Sequence, residues 1–216
     1  MNGQEIIGIR YFEKKKYARD FIKGRIFFNS AGTFENIKND EQNYNEGQIP
    51  FYSDKIKFGD KIINGDVKIT FYYEEYKRVP ICCFSYITLK DLDNGEYISD
   101  EKLKRVYKYF VVFNIGDLLE SLSKVLCNNG CGICARPVEY FDFNDKTNPW
   151  LKLDLSDIPV DYRKFFIHSD KHKHQKEFRI VITHKLFNYE GANTKINISK
   201  NWSKVKLKVG KLKQQI

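Results

Sequence analysis

The hydrophobic pattern breaks into many short strand-like runs, some of them alternating with a period of two, and follows a helical period in only a few places. Ile6, Ile7 and Ile9 open a short strand that ends at Arg10-Tyr11-Phe12. Tyr17, Ala18, Phe21 and Ile22 recur at helical spacing, and Gly24 ends that helix. Arg25 to Asn29 predicts a second strand, and Thr33 to Gln48, polar and rich in Asn and Glu, predicts a loop that suits a lid or specificity role. Lys55 to Tyr73 alternates around Gly turns, as a hairpin does. Val79 to Thr88 is apolar enough for a central strand, Asp91 to Gly95 for a turn, and Tyr107 to Asn114 for another buried strand. Leu118, Leu119, Leu122 and Val125 share one helical face within Asp117 to Leu126, with Gly116 before it. Ile133 to Phe143 predicts a strand bent or pushed to an edge by Pro137, Trp150 to Phe166 an irregular stretch, and Glu177 to Thr183 a late strand. From Ser203 to Lys213, Lys204, Lys206 and Lys208 alternate with Val205, Leu207 and Val209, which predicts a strand with one cationic and one apolar face.

Many strands, few helices and turn-like connections predict an α+β fold. The expected architecture is a mixed, mostly antiparallel sheet, or two packed sheets, with two or three helices. No internal repeat or linker divides residues 1–216, so one compact domain is expected.

Composition sharpens this picture. A chain of 216 residues with 42% hydrophobic and 15% aromatic residues can bury an aromatic-rich core without disulfides. No apolar run reaches the ~18 residues of a membrane span, and Met1 to Arg10 lacks the pattern of a secretory signal, so a cytoplasmic location and no membrane partner are expected. The net charge is +9, and only eight of the 37 basic residues are Arg. Two readings of the Lys excess stand side by side. One is coding bias and a solvated surface; the other is an acidic partner, a nucleic acid or a protein bound to one. Nothing in the pattern predicts the oligomeric state.

Five cysteines, an odd number, argue against a disulfide framework. Cys127, Cys131 and Cys134 have metal-like spacing, and His168, His172 or His174 would be the available fourth ligands. They make only one incomplete knuckle, so we expect no bound metal and a Gly-rich turn flanked by small apolar cysteines.

Three strand-associated groups remain: Arg10 and Tyr11; Ser85 and Tyr86; and the run His174-Gln175-Lys176-Glu177-Phe178-Arg179. Together with the Gly132 to Tyr140 segment, the Arg10 to Asn29 and Gln175 to Arg179 segments resemble a family of uncharacterised bacterial and phage proteins, related to domains found among phage-defence genes. That resemblance implies a setting of phage–host conflict and a structural role for the Cys131–Cys134 turn. The order Arg, Ser, Gln-x-Glu also resembles the ADP-ribosyltransferases. This second resemblance implies NAD as cofactor. Arg10 would grip the diphosphate, with Tyr11 and Tyr86 beside it; Ser85 would contact the nicotinamide ribose. Glu177 would stabilise the ribosyl cation and Gln175 would help select the acceptor, a protein or nucleic-acid target. Gln175 and Glu177, two apart, are expected on one face of a strand. The competing expectation makes Glu177 and Arg179 exposed strand charges and Ser85 a small core residue. A third is a non-catalytic inhibitor that binds a nucleic-acid-guided nuclease, or nucleic acid itself, through Lys204, Lys206 and Lys208.

Overall fold

A computed structural model of the chain describes residues 6–35, 50–58, 60–70, 77–93, 101–148, 151, 162–183 and 193–212. The strands are β1 (Ile6–Phe12), β2 (Arg25–Ser30), β3 (Pro50–Phe58), β4 (Lys61–Thr70), β5 (Pro80–Thr88), β6 (Tyr109–Asn114), β7 (Gly132–Pro137), β8 (Glu139–Phe141), β9 (Ile167–Ser169), β10 (Glu177–Thr183), β11 (Asn193–Asn197) and β12 (Val209–Lys211). The helices are α1 (Lys15–Ile22), α2 (Ala31–Glu35), α3 (Leu89–Asp93), α4 (Glu101–Val106) and α5 (Ile115–Cys127). The fold is α+β, built on an eight-stranded antiparallel sheet.

Strand β5 is the hub of that sheet. Its Ile-Cys-Cys-Phe-Ser-Tyr-Ile run is buried on both faces, as a central strand requires. One edge pairs with β10, Ser85 opposite Glu177 and Ile81 opposite Val181. The other edge takes two strands in succession: β1 over Ser85 to Thr88, and β2 at Pro80 and Ile81. The sheet therefore forks between β1 and β2. It continues through β6 and β12 on one arm, through β11 on the other, and through β7 beyond β10. Hairpin β3–β4 and the parallel pair β8–β9 stand apart.

Residues opposite each other in an antiparallel sheet share a face. Phe12, Phe84, Val111, Phe113 and Phe178 fall on one face, beneath α1 and α5, and form the main core with Phe21, Phe28 and Trp202. Leu118, Leu122 and Leu126 line the inward side of α5, capped by the Asn114 side chain, which accepts the Asp117 N–H at 3.1 Å. Leu118 and Leu122 are fully buried, and each contributes about 1.5–3 kcal/mol. On the other face Ala31, Ile81, Phe165, Phe166 and Val181 form a smaller cluster.

Several expectations need correction. Residues 91–93 of the expected Asp91 to Gly95 turn belong to helix α3, and among the described residues three helices shorter than eight residues join the two read from the sequence, α1 and α5. Short helices leave too little periodicity to read. The strand expected over Ile133 to Phe143 breaks at Val138, directly after Pro137. The C-terminal strand shrinks to Val209–Lys211; residues 203–208 bend over α5 instead, and Val205 is 60% exposed. Residues 36–48 of the expected loop lie outside the described residues, as do 150 and 152–161 of the irregular stretch.

Candidate functional site

The proposed dinucleotide residues do not share one surface. Ser85 pairs with Ile9 on one side and Glu177 on the other, so Ser85 and Glu177 are cross-strand neighbours on one face. Arg10 pairs with Val111 and belongs to the opposite face. Its guanidinium fills the fork. Nη2 donates to the carbonyl of Phe27 at 2.9 Å, Nη1 to Cys82 Sγ at 2.9 Å, and the charge lies 5.3 Å from the Phe21 ring centre. Burial pushes the Cys82 thiol up, against the opposing pull of Arg10. Tyr11 is on the Ser85 face and stacks on Tyr107 at 5.9 Å. Tyr86 is on the Arg10 face; burial, and then the Asp91 carboxylate, raise its hydroxyl above the ordinary range.

Gln175 and Glu177 are not two positions of one strand. Gln175 ends a 3-10 turn over Asp170–Gln175, and Lys176 follows in the left-handed region at φ 41°. A non-glycine residue there costs on the order of 1–2 kcal/mol. Lys176 is held by Tyr86, whose N–H donates to its carbonyl at 2.9 Å, and by Asp91, 3.4 Å from its Nζ.

Glu177 is neither an exposed strand charge nor an open carboxylate. Only 3% exposed, it accepts from Arg179 with both oxygens, Nε to Oε1 at 2.9 Å and Nη2 to Oε2 at 3.0 Å. Arg179 is fully buried, and its Nη1 donates to the carbonyl of Phe165 at 2.6 Å. The Tyr140 hydroxyl accepts the Glu177 N–H at 2.9 Å; burial, with the Glu177 charge adding to it, keeps that phenol protonated. His168 completes the buried group, its ring 4.4 Å from His172. Burial, then the positive charge of Arg179, push His168 down to about 2, so it is neutral. Burial also pulls Lys164 down to about 7. Arg179 and Tyr140 are the partners that composition alone does not reveal, although Glu and Arg two apart on a strand share a face and signal a pair.

The cysteines divide. Cys127 is exposed, Cys131 lies in the main core, and Cys134 packs against the smaller cluster on the opposite face. Among the described residues no group of three or more His, Cys, Asp or Glu is placed to hold a metal ion.

The basic residues make a second site. Residues 13–25 carry six cations and two acids, and residues 199–212 carry five cations and no acid. Their net charge of +9 equals that of the whole chain; the other 189 residues carry 26 charges of each sign. The two segments are joined in space. Ile198 N–H donates to the Gly24 carbonyl at 2.8 Å, and Trp202 Nε1 donates to the carbonyls of Phe21 and Ile22 at 3.3 and 3.2 Å. Gly24 has φ 79°, and a Cβ there would stand 2.6 Å from the Ser199 carbonyl oxygen, so only glycine permits this docking. The chain then crosses α5, where the buried Asp117 carboxylate accepts Lys204 N–H at 2.8 Å, and reaches β12, which touches α1. Lys206 and Lys208 are exposed; Lys204, also exposed, has Nζ 3.6 Å from Asp117 and 3.7 Å from Glu120.

Comparison of the chain with protein-family models, curated proteins and solved structures returns no match. Among the described residues no helix is long and apolar enough to cross a membrane.

Proposed function

We propose that this protein is a non-catalytic binding protein that engages an acidic macromolecule through the surface shared by α1 and residues 199–212. The setting is the phage–host conflict implied by its sequence resemblance, where an inhibitor acts by occupying its partner. The observation that carries this reading is the concentration of the entire net charge on two docked segments. A Lys excess produced by coding bias alone would be spread along the chain, whereas the remainder is electrically balanced.

The alternative, NAD-dependent ADP-ribosyl transfer, draws support from the cross-strand contact of Ser85 and Glu177. Against it, both Glu177 oxygens are committed to Arg179, and Arg10 bonds the sheet fork from the opposite face. A carboxylate stabilises a developing cation only when its oxygens are aimed at it. Incubating purified protein with NAD, with and without cell extract, separates the two. Binding without catalysis predicts no release of nicotinamide. Turnover that disappears in a folded Glu177→Gln variant overturns it.

A further inference from the structure

We infer that the α1 and 199–212 surface binds the phosphate backbone of duplex nucleic acid, without reading its sequence. This inference rests on the binding function proposed above and names its partner.

The composition of the surface selects that partner. Nine of its eleven cations are Lys. Lysine is depleted at the cores of protein–protein interfaces, which favour aromatic residues, Met and Arg. Here the aromatic residues point inward: Phe21 is 1% exposed and Trp202 4%, and they pack edge to face at 5.5 Å. Tyr17, 45% exposed, is the one large aromatic on the outer side of α1 among the described residues. A single ring does not make the stacking platform that single-strand binding uses. What remains is a set of point charges, which suits phosphate oxygens and not base edges.

The spacing supports a polymer of charge. Lys15, Arg19 and Lys23 recur every four residues and are all exposed, a ridge along α1 with steps of about 6 Å. Lys206 and Lys208 are exposed on the segment docked beside that helix. Among the described residues, only Arg25 and Lys204 of the eleven cations lie against carboxylates. Duplex DNA presents one negative charge per ~1.7 Å of axis, the density such a surface matches.

Five phosphate contacts, from Lys15, Arg19, Lys23, Lys206 and Lys208, give a slope of log affinity against log salt of about −4.5, hence an affinity loss of about 500-fold between ~50 and ~200 mM salt. Fluorescence anisotropy with a labelled duplex of about 20 base pairs measures it. The Lys15→Gln/Lys23→Gln and Lys206→Gln/Lys208→Gln variants should each flatten the slope by about 1.8. Lys171→Gln/Lys173→Gln, exposed cations elsewhere, should leave it unchanged, and two duplexes of unrelated sequence should bind alike. Thermal melts of all variants, matching the parent, keep the comparison fair. A slope flattened by only one of the two surface variants overturns the shared surface. Tighter binding of polyglutamate than of the duplex overturns the nucleic-acid assignment and leaves the binding function standing. Failure to bind either polyanion at low salt overturns both.

Discussion

The Glu177–Arg179 pair provides a direct test of the fold. Replacing Glu177 by Gln keeps the shape and removes the charge. Gln offers one acceptor and one amide donor where the guanidinium needs two acceptors, so an N–H faces an N–H. Arg179 is fully buried and retains only its bond to the Phe165 carbonyl among the bonds described above. At a charge separation of about 4 Å and an effective dielectric near 20, the lost attraction is about 4 kcal/mol. Breaking one side of a buried pair costs about 3–5 kcal/mol in general. For a chain of 216 residues, this corresponds to a melting temperature lower by about 6–20 °C. Thermal unfolding followed by circular dichroism, with urea titration for the free energy, measures it. The double variant Glu177→Leu/Arg179→Met should recover most of the loss, because replacing a whole buried pair by apolar groups is often neutral. A Glu177→Gln protein that melts within about 1 °C of the parent would show the pair to be open to water, and the carboxylate free for other work. Reduced NAD turnover in that variant therefore counts only if its melt shows folded protein.

Other outcomes follow from single contacts. His168 is held neutral, with its pKa pushed down to about 2, so the unfolded chain takes up a proton below the ordinary His value of about 6.5 that the folded chain refuses. Its contribution is complete above that pH and is lost on acidification, at about 1.4 kcal/mol per unit until the folded value is reached; urea melts from neutral to mildly acidic pH should show a His168→Asn variant with a shallower decline, and an equal decline would refute the assignment. Trp202→Ala should cost about 3–5 kcal/mol, because the ring packs on Phe21 and Phe113 and anchors residues 199–212; a stable variant with unchanged proteolysis of that segment would contradict the docking. Gly8→Ala should destabilise by about 1–3 kcal/mol, since its Cβ would stand 2.5 Å from Phe113 Cζ, and an unchanged melting temperature would mean the ring moves freely aside.

The hydrophobic pattern alone determined the α+β class and most of the long elements. Strands β1, β2, β5, β6 and β10, the β3–β4 hairpin and helices α1 and α5 all have enough periodic positions to declare themselves. The same pattern failed in residues 203–208. Alternation there describes a chain that could pair as a strand, but Asp117 binds the Lys204 N–H and Trp202 lies in the core, so the backbone bends and Val205 faces water. The charge total was legible in composition; that residues 13–25 and 199–212 lie side by side was not, because segments so far apart in sequence are brought together only by folding, through bonds such as those of Trp202 and Ile198. Nor does sequence order show which face of a sheet a residue takes. Arg10, Ser85 and Glu177 follow one another in the order of a catalytic set, and each lies on a strand. Pairing register decides the rest: a residue's face alternates at every step, so Arg10 lies across the sheet from Ser85 and Glu177. Register is a property of the assembled sheet, fixed by the aromatic core on one side and the Phe165–Phe166 cluster on the other.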